Sequence, residues 1–262
     1  MDLKIKRLSA ITFGALALAM VAISCNRYYY QPNPVNAPML TERNDLKVLV
    51  NGNFGVDELD HLETKSATIA ASAAYSPVKY LGLMTSFTNY KYDITEPNPT
   101  IGEVDAHATL FEGGIGGYYP ILENSWGLKL VADTYVGYGG GKLRSDVDMT
   151  FNRLFIQPGF NLTSRFFDVG LAARISGIKY SDFDNKGMGQ EYVTNQGLAT
   201  ITDKRTFFFE PALTLRGGYK FIKGQLQLVK SDPFNSVDWK YDDNMITFGV
   251  FFSIEEFIKL KK

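Results

Sequence analysis

Cysteine is almost missing from this chain: Cys25 is the only one in 262 residues. That excludes a disulfide scaffold and a thiolate metal site in any folded part. Histidine is nearly as scarce. His61 and His107 stand far apart in sequence, which argues against a zinc centre, and each reads as a surface or strand-end residue. Charge of one sign is missing too. With 27 basic and 28 acidic residues the net charge is -1, so nothing points to nucleic acid. After residue 25 there is no long apolar run, which excludes a multi-helix membrane protein. It does not exclude a membrane β-barrel, whose alternating strands average to a neutral hydropathy, and the mean hydropathy is -0.11. There is no Gly-x-Ser-x-Gly elbow and no phosphate-binding glycine loop. Gly139-Gly140-Gly141 reads as the loop at a strand end rather than the start of a helix. No catalytic residue, metal or cofactor is expected, and the chain is not read as an enzyme.

What is present begins with an export signal. Lys4, Lys6 and Arg7 precede an apolar run from Ile11 to Ile23, then Ser24-Cys25. The run is shorter than the roughly 20 residues needed to span a bilayer and has the form of a secretory signal peptide. Ala22-Ile23-Ser24-Cys25 resembles a bacterial lipobox, departing from it at Ala22, where leucine is usual. The resemblance implies that residues 1–24 are removed and that Cys25 carries covalent lipid, palmitate included. The alternative is an ordinary cleaved signal. Residues 25–44 then read as a lipid-anchored extended linker. Pro32, Pro34 and Pro38 block regular hydrogen bonding, and the linker could reach roughly 60 Å at about 3.3 Å per residue. Tyr28-Tyr29-Tyr30 suits the membrane interface beside an anchor.

From Leu46 the hydrophobic period is two. Ten strands are expected at 46–55, 64–76, 79–91, 106–119, 126–140, 150–163, 166–180, 205–217, 221–231 and 245–254, with eight as the alternative count. Most reach the 9–11 residues of a tilted membrane-spanning strand, longer than the usual soluble strand. Short and long connections alternate, as in outer-membrane barrels with short periplasmic turns. The fold class is therefore all-β, an antiparallel up-and-down transmembrane barrel over 45–254 with a short charged tail at 255–262. Both termini are expected at the periplasmic end. The strand phase sends Lys129, Asp133, Gln157, Arg174, Glu210 and Arg216 into the lumen, where ion pairs would fill a narrow interior. The octets Phe155–Leu162 and Phe208–Leu215 run parallel, and Pro158 and Pro211 suggest a bulge in each.

By these features the chain resembles the outer-membrane β-barrel proteins of Bacteroidetes, in a lipoprotein-bearing branch. The residues that carry the resemblance are the lipobox-like start, the Asn33-to-Leu40 segment with Pro38-Met39-Leu40, the Phe155–Gly159 strand, and the last strand, Thr247–Ile254. In that strand Thr247, Gly249, Phe252 and Ile254 are similar to a barrel-assembly signal. The resemblance implies partners in outer-membrane lipid and in the barrel-assembly and lipoprotein-sorting machinery, with another envelope protein as a further candidate. No acidic run follows Cys25, and the resemblance makes that an argument against surface display.

Two weaker patterns complete the reading. Asp105-x-His107 and Asp146-x-Asp148 resemble the acid pair and Asp-x-His pair of the omptin proteases, which activate water between them, although here they come from neighbouring loops. Asp182–Gly187 resembles a calcium loop with Lys186 at a ligand position. The expected role is structural or accessory, as a subunit of an envelope complex. The alternatives are a narrow solute channel, a soluble lipocalin-like ligand-binding lipoprotein, and an omptin-like protease.

Overall fold

The computed structural model describes residues 28–59, 62–95 and 104–259. The expected signal peptide, Cys25 and His61 lie outside the described residues. Ten long strands form the wall: β1 Leu46–Leu59, β2 Leu62–Val78, β3 Leu81–Thr95, β4 Val104–Glu123, β5 Lys129–Arg144, β6 Asp148–Thr163, β7 Phe167–Asp184, β8 Thr206–Tyr219, β9 Ile222–Lys230 and β11 Asn244–Ser253. A two-residue strand, β10 (Asp232–Pro233), pairs beside β8. Each long strand pairs antiparallel with the next, and β1 pairs with β11 to close the barrel. Closure removes the two long free edges that an open sheet would leave.

Alternation along each strand sets the two faces. On β7, Phe167, Leu171 and Ile175 are exposed while Asp168, Arg174 and Ser176 are buried. Phe111, Ile115 and Tyr119 on β4 and Ile246, Phe248 and Val250 on β11 are likewise exposed. An apolar exterior around a polar interior is the inverse of a soluble barrel and matches the lipid-facing band of a membrane one. It is also the inverse of a lipocalin-like cup.

The two ends differ. The connections 79–80, 124–128, 164–166 and 220–221 form the turn end, where β1 starts and β11 finishes. The opposite, loop end carries 185–205 and 231–243. Two connections expected to be long are mostly strand. β1 and β2 stay in register to Leu59↔Leu62, and β5 and β6 to Arg144↔Asp148. For β5 and β6 the reason lies in the hydrophobic pattern, which inverts towards the loop end. There Leu143, Met149, Ile178 and Tyr180 point inward into an apolar core, and Lys142 and Arg144 point out to solvent. This stretch has the hydrophobicity of a soluble strand rather than a lipid-facing one. Gly139, Gly140 and Gly141 belong to β5, not to a loop. A Cβ at Gly139 would strike the side chain of Glu112 at 2.6 Å, and one at Gly141 would strike the ring of Phe151.

Connection 185–205 holds a short helix, α1 (Gln190–Asn195), and a 3-10 turn (Leu198–Thr200). Val193, Leu198 and Ile201 from it, and Trp239 from connection 231–243, cap the apolar core at the loop end. The expected charged tail opens with a helix, α2 (Ile254–Lys259), whose Phe257 ring lies 5.3 Å from Phe221 in the β8–β9 turn. Neither proline bulges its strand. The β6–β7 register is the same on both sides of Pro158, and β7–β8 runs unbroken through Ala173↔Pro211.

The largest departure concerns the linker. Residues 28–44 are extended, as three prolines require, but they run inside the barrel. Tyr29 and Tyr30 bond to Lys240 and Asp242 at the loop end, and Asn44 bonds to Ser76 at the turn end, where β1 begins. The first described residues therefore sit at the end opposite the start of β1 and the finish of β11. Tyr29 and Tyr30 are buried, with Tyr30 stacked on Phe208 at 4.2 Å, so they are core residues rather than an interfacial belt.

Candidate functional site: the plugged lumen

An extended, proline-broken segment has no hydrogen bonds of its own, yet its buried amides need partners. Inward side chains of the wall supply them. Gln227 of β9 brackets Val35: its Oε1 accepts from the Val35 N–H and its Nε2 donates to the Val35 carbonyl, both at 2.8 Å. Gln157 Nε2 donates to the Asn36 carbonyl at 2.7 Å. Arg216 Nη2 donates to the Ala37 carbonyl at 2.8 Å while its Nε donates to Gln225. The segment thus sits as an additional, side-chain-bonded strand along the lumen axis.

At its centre is a charge square. Glu112 (β4), Arg153 (β6), Arg174 (β7) and Glu210 (β8) are all buried and together neutral. Arg174 Nε donates to Glu210 Oε2 at 3.0 Å, Arg153 also pairs with Glu210, and Glu112 lies 3.6 and 3.7 Å from the two guanidinium groups. Asn33 occupies the middle. Its Oδ1 accepts from Arg153 and, at 2.6 Å, from Arg174, and its Nδ2 donates to Glu112 at 2.7 Å. Tyr30 donates its hydroxyl proton to Glu210. One carboxamide can serve both signs because it carries a donor and an acceptor.

Space for the segment comes from small wall residues. On β2 the inward positions are Thr68, Ala70, Ser72, Ala74 and Ser76. A Cβ on Gly82 would meet Leu40 Cδ1 at 2.9 Å, and one on Gly170 would collide with Met39 Cε. What remains open is limited. A cavity of about 60 Å³ at the loop end lies among Tyr28, Tyr30, Tyr90 and Tyr92, room for a water or two and far below the size of a small-molecule pocket. A recess of about 230 Å³ at the turn end is floored by Met39 and rimmed by Lys47, Lys129 and Lys223. The two share no lining residue, and the segment lies between them.

The residues expected in the lumen are placed as follows. Gln157, Arg174, Glu210 and Arg216 hold the segment. Asp133 is inward and accepts from Asn161 at 2.8 Å, away from it. Lys129 stands at the turn-end rim and pairs with Glu123 at 3.3 Å, apart from the network. Thr247 is buried inside, Gly249 packs against Asn51, and Phe252 faces outward, but Ile254 opens α2 and is not part of the last strand. Glu112, Arg153, Asn33 and Gln227 were not anticipated. The phase of β6 already marks Arg153, two turns of the alternation before Gln157. Nothing local marks Asn33.

The omptin-like pattern does not assemble. Asp105 and His107 point outward on β4, and Asp148 pairs with Lys186 at 2.6 Å. Lys186 also donates to the Ser145 carbonyl at 2.8 Å, so its ammonium reaches out of the calcium-like loop to residues 145–148. Among the described residues no group of three or more His, Cys, Asp or Glu gathers as for a metal.

No family profile matches this sequence, and no curated protein sequence does. Solved structures with a similar course include the translocator domain of the autotransporter NalP from Neisseria meningitidis (11% identity, 96% of this chain and 95% of that one, TM-score 0.39). An outer membrane channel from Pseudomonas putida F1 is similar over 85% of this chain and 98% of its own, at 9% identity and TM-score 0.39. The outer membrane protease OmpT from Escherichia coli covers 80% and 95%, at 12% identity and TM-score 0.30.

Proposed function

We propose that this protein is an outer-membrane barrel lipoprotein of the Bacteroidetes type, acylated on Cys25, whose lumen is closed by its own N-terminal segment. Its role is structural or accessory, within the envelope and alongside a protein partner, and involves no catalytic step and no steady conduction. Residues 30–40 carry this reading: they fill the interior and are bonded on every side by wall residues. The apolar exterior supports the membrane location. The lipobox-like residues support the anchor.

The test is electrical. Purified protein in a planar bilayer should give no stepwise current, and a variant lacking residues 30–40 should conduct. Sustained conductance from the full chain overturns the closed-lumen reading and favours a solute channel.

A further inference from the structure

We infer that the segment preceding residue 28 emerges on the outer face of the membrane, so that an acyl group on Cys25 sits in the outer leaflet. The inference rests on the outer-membrane reading above and adds a direction to it. Barrels of this kind keep short turns on the periplasmic side and longer connections outside. Here the turn end holds connections of two to five residues, and connections 185–205 and 231–243 lie at the other.

Residues 28–30 are fixed at that loop end by several contacts. The Tyr28 ring lies 5.8 Å from Tyr92, near the loop end of β3. The Tyr29 N–H donates to the Lys240 carbonyl at 2.9 Å, the Tyr29 carbonyl accepts from the Tyr180 hydroxyl at 2.7 Å, and Tyr30 pairs with Tyr241. These partners sit above the exposed apolar band, whose last members on β3 and β4 are Phe87 and Phe111. Tyr92 is five residues beyond Phe87, about 16 Å along the strand.

Length then decides the leaflet. Two residues, Asn26 and Arg27, separate Cys25 from Tyr28, and the three steps between them span at most about 10 Å. The hydrocarbon layer is about 30 Å thick. An anchor in the inner leaflet and a threaded segment are therefore incompatible. With the segment docked, only the outer leaflet is in reach. This opposes the expectation of a periplasmic N-terminus drawn from the strand count and from the missing acidic run. It also requires the N-terminal end to have crossed before β1 and β11 pair, since the segment runs directly into β1.

The experiment places one epitope at each of three positions in separate full-length proteins: between Arg27 and Tyr28, within connection 231–243, and after Lys262. Each protein is first required to keep the heat-modifiable migration of the parent. Antibody binding is then compared on intact and permeabilised cells. The inference predicts that the first two epitopes bind on intact cells at least tenfold above background and that the third binds only after permeabilisation. If the 231–243 epitope is exposed and the Arg27/Tyr28 epitope is not, the inference is wrong and the barrel reading stands. If the C-terminal epitope is exposed on intact cells, the orientation assumed by that reading is itself wrong, and the inference falls with it.

Discussion

Asn33 is where the plug meets four buried charges, and its removal is the sharpest perturbation available. Asn33→Ala deletes three bonds to charged groups: two accepted from Arg153 and Arg174 and one donated to Glu112. Bonds to charged partners contribute about 1.5–3 kcal/mol each. Water entering the vacated space would recover part of that, and we take about half as lost, or about 3 kcal/mol. At 1.36 kcal/mol per factor of ten, the docked segment should open roughly a hundredfold more often. Hydrogen exchange of the purified protein reads this directly, as faster exchange of the Val35 amide, which is bonded to Gln227. Gln31→Ala is the control. Gln31 makes one 3.3 Å bond to Asp242 at the loop-end mouth, and its loss should change that rate less than fivefold. Equal rates for Asn33→Ala and the parent, or equal effects of the two variants, would refute the view that the charge square holds the plug.

Three further outcomes are expected. Arg174→Ala leaves Glu210 with one ionic partner fewer and should cost about 3–5 kcal/mol; urea unfolding in detergent measures this, and an unchanged midpoint would contradict the assigned lumen face. Gly170→Leu puts a side chain where Met39 lies; it should loosen the turn-end half of the plug, seen as protease cleavage after Arg43, while the heat-modifiable barrel persists. Leu171→Arg sets a charge in the middle of the exposed apolar band of β7; it should reduce folding into vesicles by about 2–4 kcal/mol, and no effect would mean that this face does not meet lipid.

The wall was legible because its signal is local. A period of two over ten or more residues fixes both strand and phase, and Phe167 to Ser176 shows both. Legibility stopped where the environment changes along a single strand. Leu143 and Met149 are inward and apolar, Lys142 and Arg144 outward and polar, so strand leaving the lipid band looks like a loop to a reading tuned to that band. The plug was invisible for a different reason. Three prolines dictate an extended chain but not where it lies, and a segment in water and one in a polar lumen look alike in sequence.

The clue lay on the other side of the contact. Gln157, Arg216, Gln225 and Gln227 offer more donors and acceptors than the wall alone can pair, and buried polar groups are hydrogen-bonded. Thr68, Ala70, Ser72 and Ala74 on β2 are small, which leaves the plug its room. Small residues on one wall and surplus polar groups on another together describe an occupied lumen. Asn33 becomes recognisable only once the four charges around it are assembled by the fold.

The claim that residues 30–40 occupy the lumen can be tested without disturbing the packing. Methionine is replaced throughout by its diazirine analogue, the protein is irradiated in the membrane, and cross-linked peptides are identified by mass spectrometry. Met39 lies against Gly170 and Arg216, so its peptide should be joined to peptides of β7 and β8 within the same chain. A Met39 peptide joined only to lipid or to other proteins would contradict a threaded barrel and restore the external linker.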